Sequence, residues 1–261
     1  MRPRLQMPPV VVFVFSLFCA WSAAADQGTL SDNQQVFSSR LGYALQYRVY
    51  RPPGALTGDH LPSLYVTDGQ WYIEDGGLKA ILDAAIGAGL IKPLLVVFLD
   101  SRNPENLEEN RRNTEFMCNR DFAGFFADEL IPTISRTQPV SMSRDDRVIL
   151  GASFGGLNSA CFGLILPDLF SGIAMQSPAS ASHIDVVREL YEKNDVLPLK
   201  VFLSVGTKHD NTRAVKRFKR SLEHKGYDLT FIKVKKGHDW QNWAPLLDDV
   251  LVTFFAVQQK N

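Results

Sequence analysis

Cysteine is nearly missing from this sequence: there are three in 261 residues, Cys19, Cys118 and Cys161. So few thiols exclude a small disulfide-stapled module, and none has the short spacing of a metal-binding knuckle. Net charge is missing as well, since 28 basic residues face 28 acidic ones. No basic stripe with interleaved aromatics occurs, which argues against nucleic acid as a partner. The densest basic run, VKRFKRSLEHK from Val215, has the spacing of a solvated helix face. Long apolar stretches are confined to one, residues 10–21. It falls short of the roughly 20 residues that a bilayer-crossing helix needs. No internal repeat or low-complexity linker interrupts the rest.

What is present begins with that apolar run. Two arginines precede it and small residues follow it in MRPRLQMPPVVVFVFSLFCAWSAAADQG, the layout of a secretory signal peptide. Ala23 and Ala25 suit the third and first positions before a cut, so residues 1–25 are read as the signal and Asp26 as the first mature residue. Cys19 follows Phe18, which is too large for a lipobox. Cleavage removes Arg2 and Arg4, leaving 26 basic against 28 acidic residues, a formal charge of minus two. The expected product is a soluble chain, secreted or periplasmic, with no stable membrane insertion. At this length, residues 26–261 make a single domain. Its two cysteines could pair, but Cys161 lies in an apolar helical stretch where a buried free thiol is equally compatible.

Short β-branched runs alternate with longer helical patterns, and that rhythm predicts an α/β fold with a mostly parallel sheet covered by helices on both faces. QQVFSSRLGYALQYRVYRPPG reads as an N-terminal antiparallel hairpin, with Leu41-Gly42 between alternating segments and Pro52-Pro53 as the stop. LPSLYVTDG, PLLVVFLD, DRVILG, GIAMQS, KVFLSVG and TFIKV are the further strands. DGGLKAILDAAIGAGL, RDFAGFFADELIPTI, GGLNSACFGLILP and NTRAVKRFKRSLEHKG carry helical spacing, the last closing on Gly226 as a C-terminal cap. In such a sheet reacting groups gather in loops at the carboxyl ends of the strands.

One segment there stands out: Gly151-Ala152-Ser153-Phe154-Gly155. A Gly-x-Ser-x-Gly match arises by chance in roughly one chain in ten of this length. Here, however, it follows the buried-strand signature Arg147-Val148-Ile149-Leu150 and runs into GGLNSACFGLIL, so Ser153 sits at a strand-to-helix turn. That is the setting of a nucleophile elbow, with the Phe154 N–H at the new helix N-terminus aimed where an oxyanion develops. A serine hydroxyl needs a base to take its proton. Of five histidines, His60 precedes the elbow, His183 follows the next strand too soon, and His224 lies on a charged helix face. His238, in the loop Gly237-His238-Asp239-Trp240 before a final helix, is the candidate base. Asp210, after KVFLSVG, is the candidate acid, with His209 beside it; Asp239 and Asp185 are weaker choices. The loop after LPSLYVTDG supplies a second oxyanion donor, the backbone N–H of Gly69 or Gln70, while Asp68 braces that turn.

With Asp68-Gly69-Gln70, Arg112-Asn113-Thr114-Glu115, GASFGG and GHDWQNW in this order, the chain resembles the esterase family of the α/β-hydrolase fold that includes enterochelin and other siderophore esterases. Feruloyl esterases, S-formylglutathione hydrolases and mycolyl transferases are related branches, and Gly-His-Asp-Trp with Trp243 looks most like the siderophore branch. The resemblance implies Ser153 as nucleophile and His238 as base, and it places Arg112 and Glu115 as a pair near the site rim or as a structural salt bridge. It also implies an acid three residues after Gly206, where this chain has His209; the carboxylate arrives one later, at Asp210.

The expectation is therefore ester cleavage through an acyl-enzyme, with no metal or organic cofactor called for. The substrate would be a small-molecule ester, a siderophore trilactone among the candidates, with Trp71, Trp240 and Arg112 offering aromatic and cationic surface. Acyl transfer to a sugar or lipid acceptor and feruloyl ester cleavage use the same serine chemistry. A non-catalytic ligand-binding protein is the rival from another class. Nothing in the sequence sets the oligomeric state.

Overall fold

The computed structural model describes residues 27–257. The expected signal peptide and the cut after Ala25 lie outside the described residues. Nine strands form the main sheet, in the order β1-β3-β5-β4-β8-β9-β10-β11 with β2 also on β3. In chain order they are β1 Thr29–Leu30, β2 Gln34–Ser38, β3 Tyr43–Arg51, β4 Ser63–Thr67, β5 Leu95–Asp100, β8 Arg147–Ala152, β9 Gly172–Gln176, β10 Lys200–Gly206 and β11 Asp228–Val234. A separate small hairpin joins β6 Arg102–Asn103 to β7 Asn106–Asn110. The six strands from β5 to β11 run parallel, and β3 joins them antiparallel to β5, with β1 and β2 antiparallel on its outer side. The expected hairpin is β2–β3, with Phe37 opposite Ala44 and Gln34 opposite Tyr47.

Near-continuous apolar sequence makes the central strands buried on both faces. Alternation then sorts their side chains into two cores. Tyr65, Val97 and Ile149 face α4 Arg120–Phe125, α5 Ile131–Thr137, α6 Phe154–Ile165, α7 Ala181–Lys193 and α8 Thr212–Lys225. Leu64, Val96 and Leu150 face α1 Gly69–Glu74, α2 Leu78–Gly87 and α10 Leu247–Phe255. Two short helices complete the set, α3 Arg112–Glu115 and α9 Trp240–Trp243. Among the described residues, no helix is long and apolar enough to cross a membrane.

The topology places the site. The chain runs from β4 outward to β5, then returns to the opposite side of β4 as β8. Successive crossovers thus leave β4 and β8 in opposite directions, which opens a crevice beyond their carboxyl ends. Asp68-Gly69 follows β4 there, and Ser153 follows β8.

Four features differ from the sequence expectation. RDFAGFFADELIPTI is not one α-helix, because a π-turn, Phe126–Leu130, separates α4 from α5. Pro132 explains it: proline lacks an N–H and its ring clashes with the carbonyl four residues earlier, and the wider turn relieves both. Helix α1 went unassigned because it is under two turns long, and β6–β7 because its residues are polar and exposed. Helix α7 also went unassigned, although Ile184, Val187 and Tyr191 give it a buried face.

Cys118 and Cys161 are bonded, tying the segment between α3 and α4 to the buried middle of α6 across 43 residues of chain. Closing a loop of that length removes unfolded-state entropy worth roughly 4 kcal/mol. A Cys118→Ala/Cys161→Ala variant is expected to melt several degrees below the parent, and dithiothreitol is expected to lower the parent's melting temperature but not the variant's. Equal melting curves in all four samples would remove the staple from the account.

Candidate active site

Ser153 has φ 57° and ψ −122°, a conformation costly for any residue with a side chain. The surrounding backbone holds it there. Its N–H donates to Gln176 O at 2.9 Å, and its carbonyl accepts from Ala179 N at 3.1 Å, so the start of α6 is stitched to the end of β9. A Cβ on Gly151 would overlap the Gly155 carbonyl, and one on Gly155 would stand 2.8 Å from Thr67 Oγ1. Only glycine at both places lets β8, β4 and α6 meet this closely. The turn lifts the Ser153 hydroxyl out of the sheet, and Phe154, first in the helix, has an N–H with no intrahelical acceptor.

The loops after β10 and β11 bring Asp210 and His238 to that hydroxyl. Ser153 Oγ lies 2.8 Å from His238 Nε2, and His238 Nδ1 lies 2.8 Å from Asp210 Oδ1. The Asp210 side chain is fully buried. Burial pushes its carboxyl up, but the hydrogen bonds from His238, Ser177 and the Gly206 and Asn211 amides outweigh that and hold it below the usual carboxylate range. An ionised carboxylate only accepts, so Nδ1 carries the imidazole proton and Nε2 is left to accept from the serine hydroxyl. The arrangement can therefore pass the serine proton to the ring while the carboxylate stabilises the resulting cation. The offset of one residue is absorbed at His209, which is exposed and has φ 52°, turning the chain so that the next residue points inward.

Sequence reading missed the layer behind this chain. Asp210 Oδ2 accepts from Ser177 Oγ at 2.7 Å and Gly206 N at 2.7 Å, and Oδ1 accepts from Asn211 N at 2.7 Å. Ser177 Oγ in turn accepts from Trp243 Nε1 at 3.0 Å and Asn242 Nδ2 at 3.1 Å. Two obligate donors on Ser177 leave its own proton directed at Asp210. Trp243 also packs edge-on against His238 with centroids 5.1 Å apart, and Trp240 against Trp243 and Tyr72 at 5.4 and 5.0 Å. The only sequence signal for this layer was the spacing Trp240-x-Asn242-Trp243, which puts Asn242 and Trp243 one helical turn beyond the His238 loop.

The second candidate oxyanion loop follows β4. Asp68 is buried with φ 55°, and Gly69 starts α1 so close to β5 that a Cβ would sit 2.6 Å from the Phe98 backbone. Arg112 does not pair with Glu115. Its Nε and Nη2 instead grip Asp68 Oδ2 at 3.0 and 2.7 Å, and Ser101 Oγ donates to Asp68 Oδ1 at 2.7 Å. Glu115, at the other end of the four-residue helix α3, is buried in the core and accepts from Tyr43 OH at 3.0 Å. Trp71 is half-buried beside Arg112, whose guanidinium carbon lies 5.6 Å from its ring and 5.3 Å from the Phe154 ring. Trp240 is half-buried in the aromatic cluster behind His238.

Known proteins share this frame. The profile of a family described as "Putative esterase" matches residues 38–254. The uncharacterized protein YjcH of Bacillus subtilis (strain 168) is 25% identical over 242 residues, 87% of this chain and 98% of that one. An iron(III) enterobactin esterase of Dickeya dadantii (strain 3937) is 34% identical over 116 residues, which are 44% of this chain and only 26% of that protein. Among solved structures, the enterobactin esterase of Shigella flexneri, crystallised in the presence of enterobactin, superposes with a TM-score of 0.79 at 22% identity, covering 90% of this chain and 61% of that one. A ferulic acid esterase of the anaerobic fungus Anaeromyces mucronatus gives 0.72 at 16%, covering 89% and 92%. The fold is therefore that of an α/β hydrolase. Within that class the chain belongs to the esterase family, and it spans about a quarter of the Dickeya enterobactin esterase and 61% of the Shigella one.

Glu115 is a titrating group the sequence did not flag. Burial raises its carboxyl to about 7 from an ordinary 4.5; the Tyr43 hydrogen bond and Arg111 pull the other way, and Asp68 adds to the rise. Below pH ~4.5 both folded and unfolded chains hold the proton and this contribution to stability is complete. Between there and about 7 the unfolded chain ionises first, so stability falls as pH rises, by a total on the order of 3 kcal/mol. Glu115→Gln keeps the acceptor for Tyr43 and cannot ionise. It should melt with the parent near pH 4 and above it at pH 8, and thermal melts across that range decide the matter.

Proposed function

We propose that this chain is an exported serine esterase in which Ser153 is the nucleophile, His238 the base and Asp210 the orienting acid. The observation that carries the reading is the unbroken chain from Asp210 through His238 to Ser153, with both links at 2.8 Å, at the mouth of the crevice between β4 and β8. His238 takes the Ser153 proton as Oγ attacks the ester carbonyl. The Phe154 N–H and the Gly69 or Gln70 N–H receive the oxyanion. His238 then protonates the departing alcohol, and a water molecule, deprotonated by the same imidazole, releases the acid and frees Ser153. Charge developing at the oxyanion is where preorganised donors contribute most, about 10²–10³ per donor.

The substrate proposed is an ester of an aromatic acid or aromatic amide, a siderophore trilactone first. Trp71 and the guanidinium of Arg112, which lies between the Trp71 and Phe154 rings, offer a stacking and cationic surface near Ser153. The enterobactin esterases among the relatives support it. Feruloyl ester cleavage is the second reading, favoured by one observation: the fungal ferulic acid esterase is covered over 92% of its length, the Shigella enterobactin esterase over 61%. Residues 1–25 carry the proposal of export to the periplasm or medium as one catalytic domain, and the intact mass of the cell-envelope protein should begin at Asp26.

Short p-nitrophenyl esters and a fluorophosphonate probe test the chemistry. Ser153→Ala is expected to lose labelling and about 10⁴-fold or more in kcat. Asp210→Asn is expected to lose about 10³–10⁴-fold in kcat by disturbing the tautomer of His238. Probe labelling that survives in Ser153→Ala sinks the assignment. Mass analysis of products from a catecholate trilactone and from a feruloylated sugar, each with and without added acceptor alcohol, separates the two substrates and separates hydrolysis from transfer.

A further inference from the structure

Arg112 is more deeply committed than a rim residue that meets substrate. Its side chain is 19% exposed, and the Asp68 carboxylate it grips is 5% exposed. The contact is two-pronged, Nε and Nη2 to one carboxylate, with Ser101 closing the remaining oxygen. Asp68 is the left-handed residue immediately before Gly69, and its carbonyl accepts from Trp71 N at 3.1 Å to begin α1. The direction of the Gly69 and Gln70 N–H groups is therefore fixed by where Asp68 is held. Asp68 also lies against the other side of the crevice: its Oδ2 is 3.6 Å from where a Cβ of Gly155 would stand. The guanidinium that holds it rests over the Phe154 ring.

We infer that Arg112 is a positioning residue that clamps the two halves of the oxyanion hole to each other, gripping Asp68 on the β4 loop while packing on Phe154 of the β8 turn. The inference rests on the serine-esterase reading. Its physical sense is twofold. A donor loop displaced by about an ångström forfeits much of its stabilisation of the transition state while ground-state binding is little changed. A buried carboxylate left unpaired beside a developing oxyanion would also repel it, and burial already pushes the Asp68 carboxyl up against the opposing pull of Arg112 and Ser101. Lysine cannot replace this grip, since a point charge lacks the planar fork.

The test uses p-nitrophenyl acetate, a small neutral ester that carries no anionic group for the guanidinium to pair with. Arg112→Lys and Arg112→Gln are expected to lose about 10–100-fold in kcat with KM within about twofold, and Asp68→Asn to match them. The Asp68→Asn/Arg112→Gln double variant should lose no more than either single one. Normal kcat on this ester, with loss only on bulky anionic esters, would leave Arg112 as a substrate contact alone and overturn the clamp. Recovery of activity in the double variant would also overturn it, leaving charge screening as the whole role. Hydrogen exchange provides a readout independent of turnover: the peptide covering residues 67–74 should exchange faster in Arg112→Gln than in the parent, with β10 unchanged. Unchanged exchange in residues 67–74 overturns the clamp even if the parent proves inactive, whereas parent inactivity with no probe labelling counts against the serine-esterase reading instead.

Discussion

The approach of β8, β4 and α6 at Gly151, Gly155 and Thr67 is the constraint on which the rest depends. Strand and helix can touch there only without side chains, and the touching forces Ser153 into a conformation that it would otherwise avoid. A strained residue of this kind persists because its neighbours over-determine it. The Ser153 amide and carbonyl are both taken by the β9 end, at Gln176 and Ala179, and β9 is itself registered on β8 and β10. The sheet thus sets the turn, the turn sets the hydroxyl, and the hydroxyl sets where every other group of the site has to arrive.

Buried charge is the second theme. Asp210 and Asp68 are both carboxylates removed from water, and each is surrounded by donors: His238, Ser177, Gly206 and Asn211 around the first, Arg112 and Ser101 around the second. Removing one partner from such a group costs more than the hydrogen bond itself, because the remaining charge stays desolvated. Glu115 is the contrast. It has one hydroxyl donor, Tyr43, and one oxygen without a partner, and burial accordingly moves it toward the neutral form. Electrostatics at this end of the sheet is therefore arranged around Asp210, held ionised by its donors, Asp68, whose carboxyl burial pushes up against the pull of Arg112 and Ser101, and Glu115, which burial raises to about 7.

Much of the fold was legible in the chain, for reasons that are local. Apolar runs such as LVVFLD and RVILGA can only be strands buried on both faces, and the amphipathic stretch from Thr212 to Gly226 can only be a covering helix. The strand-to-helix turn at Ser153 was legible because glycine on both sides leaves few other conformations. What eluded reading was set by neighbours distant in sequence. Helix α1 is too short to announce itself and is held by β5. The Cys118–Cys161 bond joins positions whose proximity no local pattern records.

At the site the division is sharper. Sequence by itself determined the kinds of group and the loops that bear them: a serine on a strained turn, a histidine after a late strand, a carboxylate one position off the family's spacing. Tertiary structure alone decided how they combine. It turned His209 outward so that Asp210 meets His238, enlisted Ser177, Asn242 and Trp243 behind them, and paired Arg112 with Asp68 instead of Glu115. The reason is geometric. A side chain's reach is a few ångströms, and which partner falls within it depends on strand order and loop dihedrals that no short stretch of sequence specifies.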